Sequence, residues 1–256
     1  MKVLVTGAAG FLGRGLIIPF EEQGHALRLM DIAPFSSPRH EVVSGDVGDY
    51  DQVERAVQGV DGLVIAHMVP QGESYKTPRL PFDVNVKGTA NLFHAAVRCG
   101  VRRVVVISSA STVMGNPKTP EAMLRRNWPL RADKPGYYRL SKVLQEVIAE
   151  HFARTEKMSV ACLRVGYILD GDANIDKYGR HVTERNYQDS DRRDIGDVAR
   201  LCLELGSPGY DIFHVMSTPE SMDVADVRYT CERLNWKPRY DFSGLPPVSP
   251  SADKKK

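Results

Sequence analysis

The first 165 residues alternate between short apolar runs and segments whose apolar residues recur at helical spacing. The apolar runs predict strands at residues 3–5, 26–30, 41–44, 62–66, 103–108 and 160–164. The helical spacing predicts helices at residues 51–58, 85–99 and 137–155. Alternation of this kind is typical of βαβ units, so we expect an α/β fold in which helices cover both faces of a parallel sheet.

The pattern changes after residue 165. Residues 170–193 are dense in charge, and beyond them the spacing predicts a helix at 195–205, a strand at 211–215 and a helix at 224–234. We therefore predict a Rossmann-type, doubly wound domain at residues 1–165 and a small, discontinuous substrate lobe at 166–242, with elements that return to the sheet. The aperiodic residues 243–256 are expected to form a flexible tail.

The first helix contains residues that disfavour helix. Gly15 and Pro19 lie inside the apolar pattern of residues 11–22, and an interior proline costs about 3 kcal/mol. We therefore predict a kink or an early break near Pro19.

A glycine-rich loop, Thr6-Gly-Ala-Ala-Gly-Phe-Leu-Gly13, joins the first strand to this helix. Its glycines suit a tight turn, a close approach of backbone N–H groups to a pyrophosphate, and close packing of helix on strand. The helix N-terminus adds roughly half a positive charge where the phosphates would lie. The loop therefore predicts a dinucleotide site. The candidate cofactor-binding residues in it are Gly7, Gly10, Phe11, Leu12 and Gly13.

Asp31 follows the second strand and comes 18 positions after Gly13. A carboxylate at this place can accept hydrogen bonds from the ribose hydroxyls of an adenosine and repels a 2′-phosphate. The sequence therefore favours NAD over NADP, although Arg28 and Arg39 leave some tolerance for NADP open.

Sheet order alone suggests further contacts with the cofactor. Asp46 and Val47, after the third strand, are placed to border the adenine, and Ala66 and His67, after the fourth, to lie near the nicotinamide ribose. For His67 a role without catalysis is the better expectation.

Tyr138 and Lys142 are four residues apart on a predicted helix, so their side chains share one face. An ammonium beside a phenol favours the phenolate, so we expect the pKa of the tyrosine to fall from about 10 toward neutrality. Such a tyrosine can take a proton from an alcohol as hydride leaves its carbon. The hydroxyl cluster Ser108-Ser-Ala-Ser-Thr112 ends the fifth strand and could hydrogen-bond the reacting oxygen.

These motifs resemble those of the extended short-chain dehydrogenase/reductases, a family of NAD-dependent sugar epimerases, dehydratases and dehydrogenases. The family's T-G-x-x-G-x-x-G, Y-x-x-x-K and N-V-x-G-T patterns match residues 6–13, 138–142 and 85–89. The resemblance covers residues 1–242 and implies that Asn85 supports the nicotinamide side of the site. Residues 27–34 and the short chain are similar to uronate dehydrogenases within the family.

The chain departs from the family pattern in the hydroxyl cluster. Aligned from the paired serines the active hydroxyl is Ser109, but aligned back from Val113-Met-Gly115 the position falls on Ala110. We therefore take Ser109 as the catalytic hydroxyl, with Ser111 in reserve. The Asp-Glu pair of 4,6-dehydratases is replaced by Ser111 and Thr112, which disfavours dehydration.

Composition narrows the class of partner. The 256 residues carry a net charge of +2 and no basic cluster suited to nucleic acid. The four cysteines form no C-x-x-C pair, so neither a metal site nor a disulfide framework is predicted, and they suggest a reducing compartment. The first apolar run is too short for a signal peptide and no segment suits a membrane span, so we expect a cytoplasmic protein.

The substrate is the least determined feature. Two loops, residues 69–81 and 116–136, carry cations that would suit an anionic sugar or sugar nucleotide, namely Lys76, Arg79, Lys118, Arg125, Arg126 and Arg131. Two functions stay open: an NAD-dependent enzyme acting on a secondary alcohol by net oxidation or epimerisation, and a non-catalytic dinucleotide sensor on the same fold. The family resemblance also permits a homodimer through the helices at 85–99 and 137–155.

Overall fold

The computed structural model describes residues 1–70, 72–113 and 124–248. Its main sheet has seven strands, all parallel, in the spatial order β10-β6-β5-β4-β1-β2-β3. The strands of this sheet are β1 (Lys2–Thr6), β2 (Ala26–Asp31), β3 (Glu41–Ser44), β4 (Gly62–Ile65), β5 (Arg103–Ser109), β6 (Ser159–Val165) and β10 (Gly209–Val215). The predicted α/β, doubly wound parallel sheet is confirmed.

Helices cover both faces of the sheet. They are α1 (Phe11–Glu22), α2 (Tyr50–Val57), α3 (Gly88–Cys99), α4 (Tyr137–Thr155), α5 (Arg192–Leu205), α6 (Ser221–Val224) and α7 (Val227–Leu234). Two apolar cores result, one between the sheet and α1 and α5, the other between the sheet and α2, α3 and α4. Most strand residues are enclosed, as expected for a parallel sheet with two covered faces.

Helix α1 runs through Pro19 without interruption, so the predicted early break is wrong. Pro19 is buried, and α1 packs along α5 at close range. A Cβ added at Gly196 of α5 would lie 2.7 Å from the carbonyl oxygen of Leu16, which shows how near the two backbones come. This packing stabilises the helix, because tertiary burial outweighs local propensity.

Two other predicted helices, at residues 85–99 and 224–234, have different bounds in the structure. The segment before α3 is a π-helix, Pro81–Lys87, so the α-helix begins three residues later than predicted. The last predicted helix is divided into α6 and α7. Backbone hydrogen bonds to Leu124 occupy the break, from its amide to Val224 O at 2.7 Å and to its carbonyl from Asp226 N at 3.0 Å.

The charge-dense segment after β6 contains a second, small sheet instead of irregular chain alone. Its strands are β7 (Tyr167–Asp170), β8 (Ile175–Asp176) and β9 (Asp189–Asp191), in the order β8-β7-β9. After it, α5 and β10 return to the main fold.

The expected tail is partly docked. Arg185 N donates to Pro246 O at 2.8 Å and Arg185 O accepts from Val248 N at 2.9 Å, because this segment has a backbone partner that the sequence does not reveal. Residues 249–256 lie outside the described residues. Among the helices that the structure describes, none combines the length and apolarity needed to cross a membrane.

Candidate functional site

The candidate residues gather at one edge of the main sheet, where the parallel strands present their carboxyl ends. Thr6 ends β1 opposite Ile65 of β4, and Ser109 ends β5 opposite Val165 of β6. Open α/β sheets bind ligands along this edge. The glycine loop and the catalytic candidates therefore face the same crevice.

The glycine loop has no room for side chains at its first and last glycines. Gly7 has φ +70°, and a Cβ added there would lie 2.8 Å from His67 Cα. A Cβ at Gly13 would lie 2.7 Å from Ala8 Cα. Gly10 N donates to Gly7 O at 3.2 Å and closes the turn. The backbone thus adopts the tight turn that the spacing predicts.

The N-terminus of α1 is open toward this loop. No side chain caps it at Gly10, and its first turn holds no acidic residue. Phe11 and Leu12 begin the helix, and the Arg192 guanidinium lies 4.9 Å from the Phe11 ring and donates to Phe11 O at 3.4 Å. The uncapped helix amides fit a diphosphate, whereas Arg192 is already paired with Asp170. Sequence analysis missed Arg192, which lies 181 positions away along the chain.

Asp31 ends β2 beside the loop. Its carboxylate accepts hydrogen bonds from Ala9 N and Ala33 N, each at 2.9 Å, which fixes it at the place where an adenosine ribose is expected. Of the two arginines that left NADP open, Arg28 is buried and donates to backbone carbonyls. Arg39 instead lines a cleft of about 700 Å³ next to the loop.

Sheet order predicted that Asp46, Val47 and Ala66 contact the cofactor, and these residues follow β3 and β4. Asp46 accepts from Gly48 N at 2.8 Å and shapes the turn after β3, and Val47 O accepts from Asn91 at 2.9 Å. Ala66 follows β4, where a Cβ at Gly7 would come within 2.9 Å of its carbonyl oxygen. All three positions border the crevice end of the sheet.

His67 is held as a neutral ring. Its Nδ1 lies 3.0 Å from the Thr6 hydroxyl and its Nε2 lies 3.1 Å from Val84 O. Burial lowers the pKa of His67 to about 3, assisted by the positive charge of Lys142. These contacts give it a structural role between β1, β4 and the π-helix.

Asn85 is fully buried and connects three parts of the site. Its Oδ1 accepts from Val69 N at 3.0 Å, and its Nδ2 donates to Tyr75 Oη at 3.2 Å and to Ser141 Oγ at 3.0 Å. Tyr75 in turn packs edge-on against Tyr138, with ring centroids 5.3 Å apart. Asn85 therefore holds the loop after β4 against the helix that carries the tyrosine.

The four catalytic candidates come together. Lys142 is buried and donates to Ile107 O of β5 at 2.8 Å, while Tyr138, one turn earlier, shares a hydrogen bond with Ser109. The Ser109 and Ser111 hydroxyls lie 2.9 Å apart. Helix α4 thus crosses the end of β5 with its tyrosine against Ser109.

The expected lowering of the tyrosine pKa is not present. Burial raises the pKa of Tyr138 and outweighs the opposing hydrogen bond from Ser109. Lys142 does not offset burial, because its ammonium donates to Ile107 O, and burial lowers its own pKa to about 8. The phenol is therefore neutral at pH 7 in this structure.

A buried ion pair underlies the hydroxyl cluster, and sequence analysis missed it. Glu146 accepts two hydrogen bonds from Arg164, and Ser108 and Thr112 donate to the same carboxylate at 2.5 and 2.9 Å. Ser109 and Ser111 lie between Ser108 and Thr112 in the chain. The signals were an arginine inside the apolar run of β6 and a glutamate one turn after Lys142.

Three of the six loop cations pair with carboxylates. Arg125 lies 3.7 Å from Asp226, Arg126 lies 3.2 Å from Asp211, and Arg131 pairs with Asp133 at 2.9 Å. Lys76 and Arg79 lie on exposed chain after β4, and Lys118 lies outside the described residues. Neutralisation by neighbouring carboxylates makes the three arginines poor candidates for substrate binding.

Parts of the chain are similar in sequence to known proteins. The chain is 42% identical over 122 residues to a 3β-hydroxysteroid dehydrogenase/Δ5→4-isomerase of Mycobacterium tuberculosis, a match covering 44% of the chain and 33% of that protein. It is 35% identical over 169 residues to a uronate dehydrogenase of Pseudomonas syringae pv. tomato, covering 64% and 58%. The matches thus span a third to about three fifths of these relatives.

Solved structures share this fold. The UDP-glucose-4-epimerase of Stenotrophomonas maltophila, with bound NAD and formylated UDP-arabinopyranose, superposes with a TM-score of 0.78 at 19% identity, over 96% of this chain and 95% of that one. A profile of the NAD dependent epimerase/dehydratase family matches residues 3–205, which is most of the chain. Profile, glycine loop and catalytic motif coincide, and the chain belongs to the NAD dependent epimerase/dehydratase family.

Proposed function

We propose that this protein is an NAD-dependent oxidoreductase that acts on a secondary alcohol of a sugar or sugar derivative. The observation that carries the proposal is the cluster of Ser109, Tyr138 and Lys142 at the sheet edge that also holds the glycine loop. A non-catalytic sensor needs only the loop and Asp31. The convergence of a buried lysine, a tyrosine and a serine supports an enzyme.

The loop, the N-terminus of α1 and Asp31 would hold NAD, with the diphosphate at the helix amides and the adenosine ribose at Asp31. Lys142 spends one of its three N–H donors on Ile107 O, which leaves donors for the nicotinamide ribose. NAD held by these residues would supply the acceptor for the hydride, and its positively charged ring would favour the phenolate of Tyr138. Arg39 lines the cleft next to the loop, so the preference for NAD rests on the negative charge of Asp31.

The proton moves through Tyr138. In the direction of reduction its neutral phenol donates to the substrate oxygen. In the direction of oxidation it first gives its proton to water, and the resulting phenolate then accepts one from the alcohol. Ser109 donates to the phenolic oxygen and is placed to contact the reacting oxygen beside it. The amide of Ser111 donates to Ser109 Oγ at 3.2 Å and orients that hydroxyl.

Net oxidation or epimerisation is favoured over 4,6-dehydration. Elimination of water needs an acid and a base at the reacting carbons, and residues 108–112 carry hydroxyls without a carboxylate. Glu146, the carboxylate beneath them, is bonded to Arg164 and two hydroxyls. A uronate or a UDP-sugar is the preferred substrate by analogy with the relatives, and a 3β-hydroxysteroid is the second candidate because of the 42% identical segment.

One assay separates these possibilities. Purified protein with NAD is offered uronates, UDP-sugars and a 3β-hydroxysteroid, and NADH absorbance is read together with product stereochemistry. NADH accumulation indicates a dehydrogenase, and epimer formation without net NADH indicates an epimerase. Tight NAD binding without turnover of any substrate would favour the sensor and contradict the proposal.

Two further properties stay predictions. A homodimer through α3 and α4 is tested by analytical sedimentation of the purified protein. The expected cytoplasmic location is tested by fractionation of the source cells.

A further inference from the structure

A rigid turn follows β8 and carries a lysine that the proposed chemistry does not use. Asp176 Oδ1 accepts from the amides of Tyr178 and Arg180 at 2.8 and 2.9 Å. Asp176 Oδ2 accepts from Tyr167 Oη at 2.7 Å and from Arg180 Nε at 2.8 Å. One carboxylate thus fixes the backbone of the turn, so that Lys177 projects from a defined position.

The turn lies at the catalytic end of the sheet. Strand β6 ends at Val165, opposite Ser109, and Tyr167 follows two residues later. Lys177 Nζ lies 6.0 Å from the centre of the Tyr167 ring. Lys177 therefore lies beside a residue that closely follows the catalytic end of β6.

Two electrostatic effects show the same proximity. The charge of Lys177 contributes to lowering the pKa of Lys142. Tyr178 contributes to raising the pKa of Tyr138. Lys177 and Tyr178 therefore each act on one member of the catalytic pair, across more than 30 positions of sequence.

The ammonium of Lys177 is partly removed from solvent. Burial lowers its pKa, the neighbouring Asp176 carboxylate offsets this in part, and Arg180 adds a like charge. Among the described residues it makes no ion pair, and the carboxylate of Asp176 is already bonded to Arg180 and Tyr167. Aromatic rings lie on two sides, with Tyr178 at 5.3 Å. A partly desolvated ammonium that forms no ion pair gains from an anionic ligand.

We propose that Lys177 binds the anionic group of the substrate, a carboxylate of an acidic sugar, while Tyr138 acts on its hydroxyl. The inference rests on the proposed function and names the substrate class for the same site. Recognition of the anion falls to the turn after β8, and the loop arginines that pair with carboxylates have no part in it. Tyr178 and Tyr167 supply flat apolar faces on either side of the ammonium.

The test compares Lys177→Met and Lys177→Arg with the unmodified NAD-loaded enzyme. Lys157→Met is the matched control, because Lys157 is exposed and precedes β6 at the opposite edge of the sheet. Each protein is assayed with galacturonate, galactose and UDP-glucose. Thermal unfolding verifies that every variant is folded.

Lys177→Met is expected to lower kcat/KM for galacturonate about tenfold or more, mainly through KM, and to lower the galacturonate-to-galactose ratio equally. Lys177→Arg should restore most of the ratio, and Lys157→Met should keep it. If UDP-glucose is the sugar that loses affinity, the bound anion is a diphosphate and the carboxylate assignment is overturned. An unchanged ratio in Lys177→Met overturns the proposal outright.

If the proposed function is wrong, the unmodified enzyme turns over none of the sugars, and this outcome differs from those above. Calorimetric titration of galacturonate into the NAD-loaded Tyr138→Phe enzyme, with and without Lys177→Met, then decides the question without catalysis. Binding that weakens about tenfold with Lys177→Met supports the role of Lys177. Equal binding, or no binding to either protein, refutes it.

Discussion

Glu146 of α4 and Arg164 of β6 form a two-pronged ion pair that is closed off from solvent, with side-chain exposures of 0% and 1%. Nη2 and Nε of the arginine lie 2.8 and 3.1 Å from the two carboxylate oxygens. The carboxylate also accepts from Ser108 and Thr112, which bracket Ser109. The pair therefore joins the helix of Tyr138 to the strand end of Ser109.

Removing one partner of this pair should be costly. Glu146→Met or Arg164→Met leaves a buried charge unpaired and is expected to lower the free energy of unfolding by about 3–5 kcal/mol. The double variant should regain most of that loss, because no charge remains buried. Urea unfolding of the four proteins gives the coupling energy. Single variants that cost less than about 1 kcal/mol would show that the pair is not enclosed as described.

The two candidate hydroxyls can be separated. Because Ser109 shares the hydrogen bond with Tyr138, Ser109→Ala is expected to lower kcat about 10²–10³-fold. Ser111→Ala removes a side chain that contacts only Ser109 among the catalytic groups, so a loss below about tenfold is expected. Steady-state kinetics on the same substrate compares them, and the reverse order would identify Ser111 as the catalytic hydroxyl.

Lys142 should be a site where function and stability conflict. Its folded pKa of about 8 lies below its ordinary value of 10.5, so folding disfavours the ammonium by roughly 3 kcal/mol below pH 8. Lys142→Met is expected to abolish turnover and yet to raise the free energy of unfolding at pH 7. Stability of the unmodified protein rises between pH 8 and 10.5, where only the unfolded state keeps the proton.

The difference between Lys142→Met and the unmodified protein should therefore be largest below pH 8 and disappear toward pH 10.5. Denaturant unfolding across this range checks the sign. A difference that grows with pH would mean that the ammonium is stabilised in the folded state.

Asp31 should set the choice of cofactor. Asp31→Asn keeps an acceptor for Ala9 N and removes the negative charge, so the ratio of NAD to NADP affinity should fall about tenfold or more. Adding Arg39→Ala should weaken the newly gained NADP binding, because Arg39 lines the cleft. Fluorescence titration with both cofactors measures the ratio, and an unchanged ratio would remove Asp31 from the ribose site.

Sequence analysis found the parts of the site that are local in the chain. The glycine loop requires three glycines within seven residues, and Tyr138 and Lys142 share a helical turn, so spacing alone brings their members together. Alternating apolar patterns likewise predicted the sheet. Glu146 and Arg164 were missed, because a pair between a helix and a strand has no fixed spacing.

Other features escaped for related reasons. The Asp176 turn was included in a charge-dense loop, because its order comes from a carboxylate bonded to backbone amides and to Tyr167, which spacing does not indicate. A kink or an early break was predicted near Pro19, and the break is absent because propensity ignores packing of α1 on α5. The pKa of Tyr138 was expected to fall, but it is raised. The Lys142 ammonium donates to a carbonyl of β5, and this contact could not be foreseen from the spacing of the two residues.

The most direct test of the central claim follows the hydride. A substrate deuterated at its carbon-bound positions is incubated with NAD and either the unmodified protein or Tyr138→Phe, and the NADH formed is analysed by mass spectrometry over time. The account predicts deuterium in the NADH from the unmodified protein and a rate lower by about 10²–10⁴-fold in Tyr138→Phe. Deuterated NADH formed at the same rate by both proteins would contradict it.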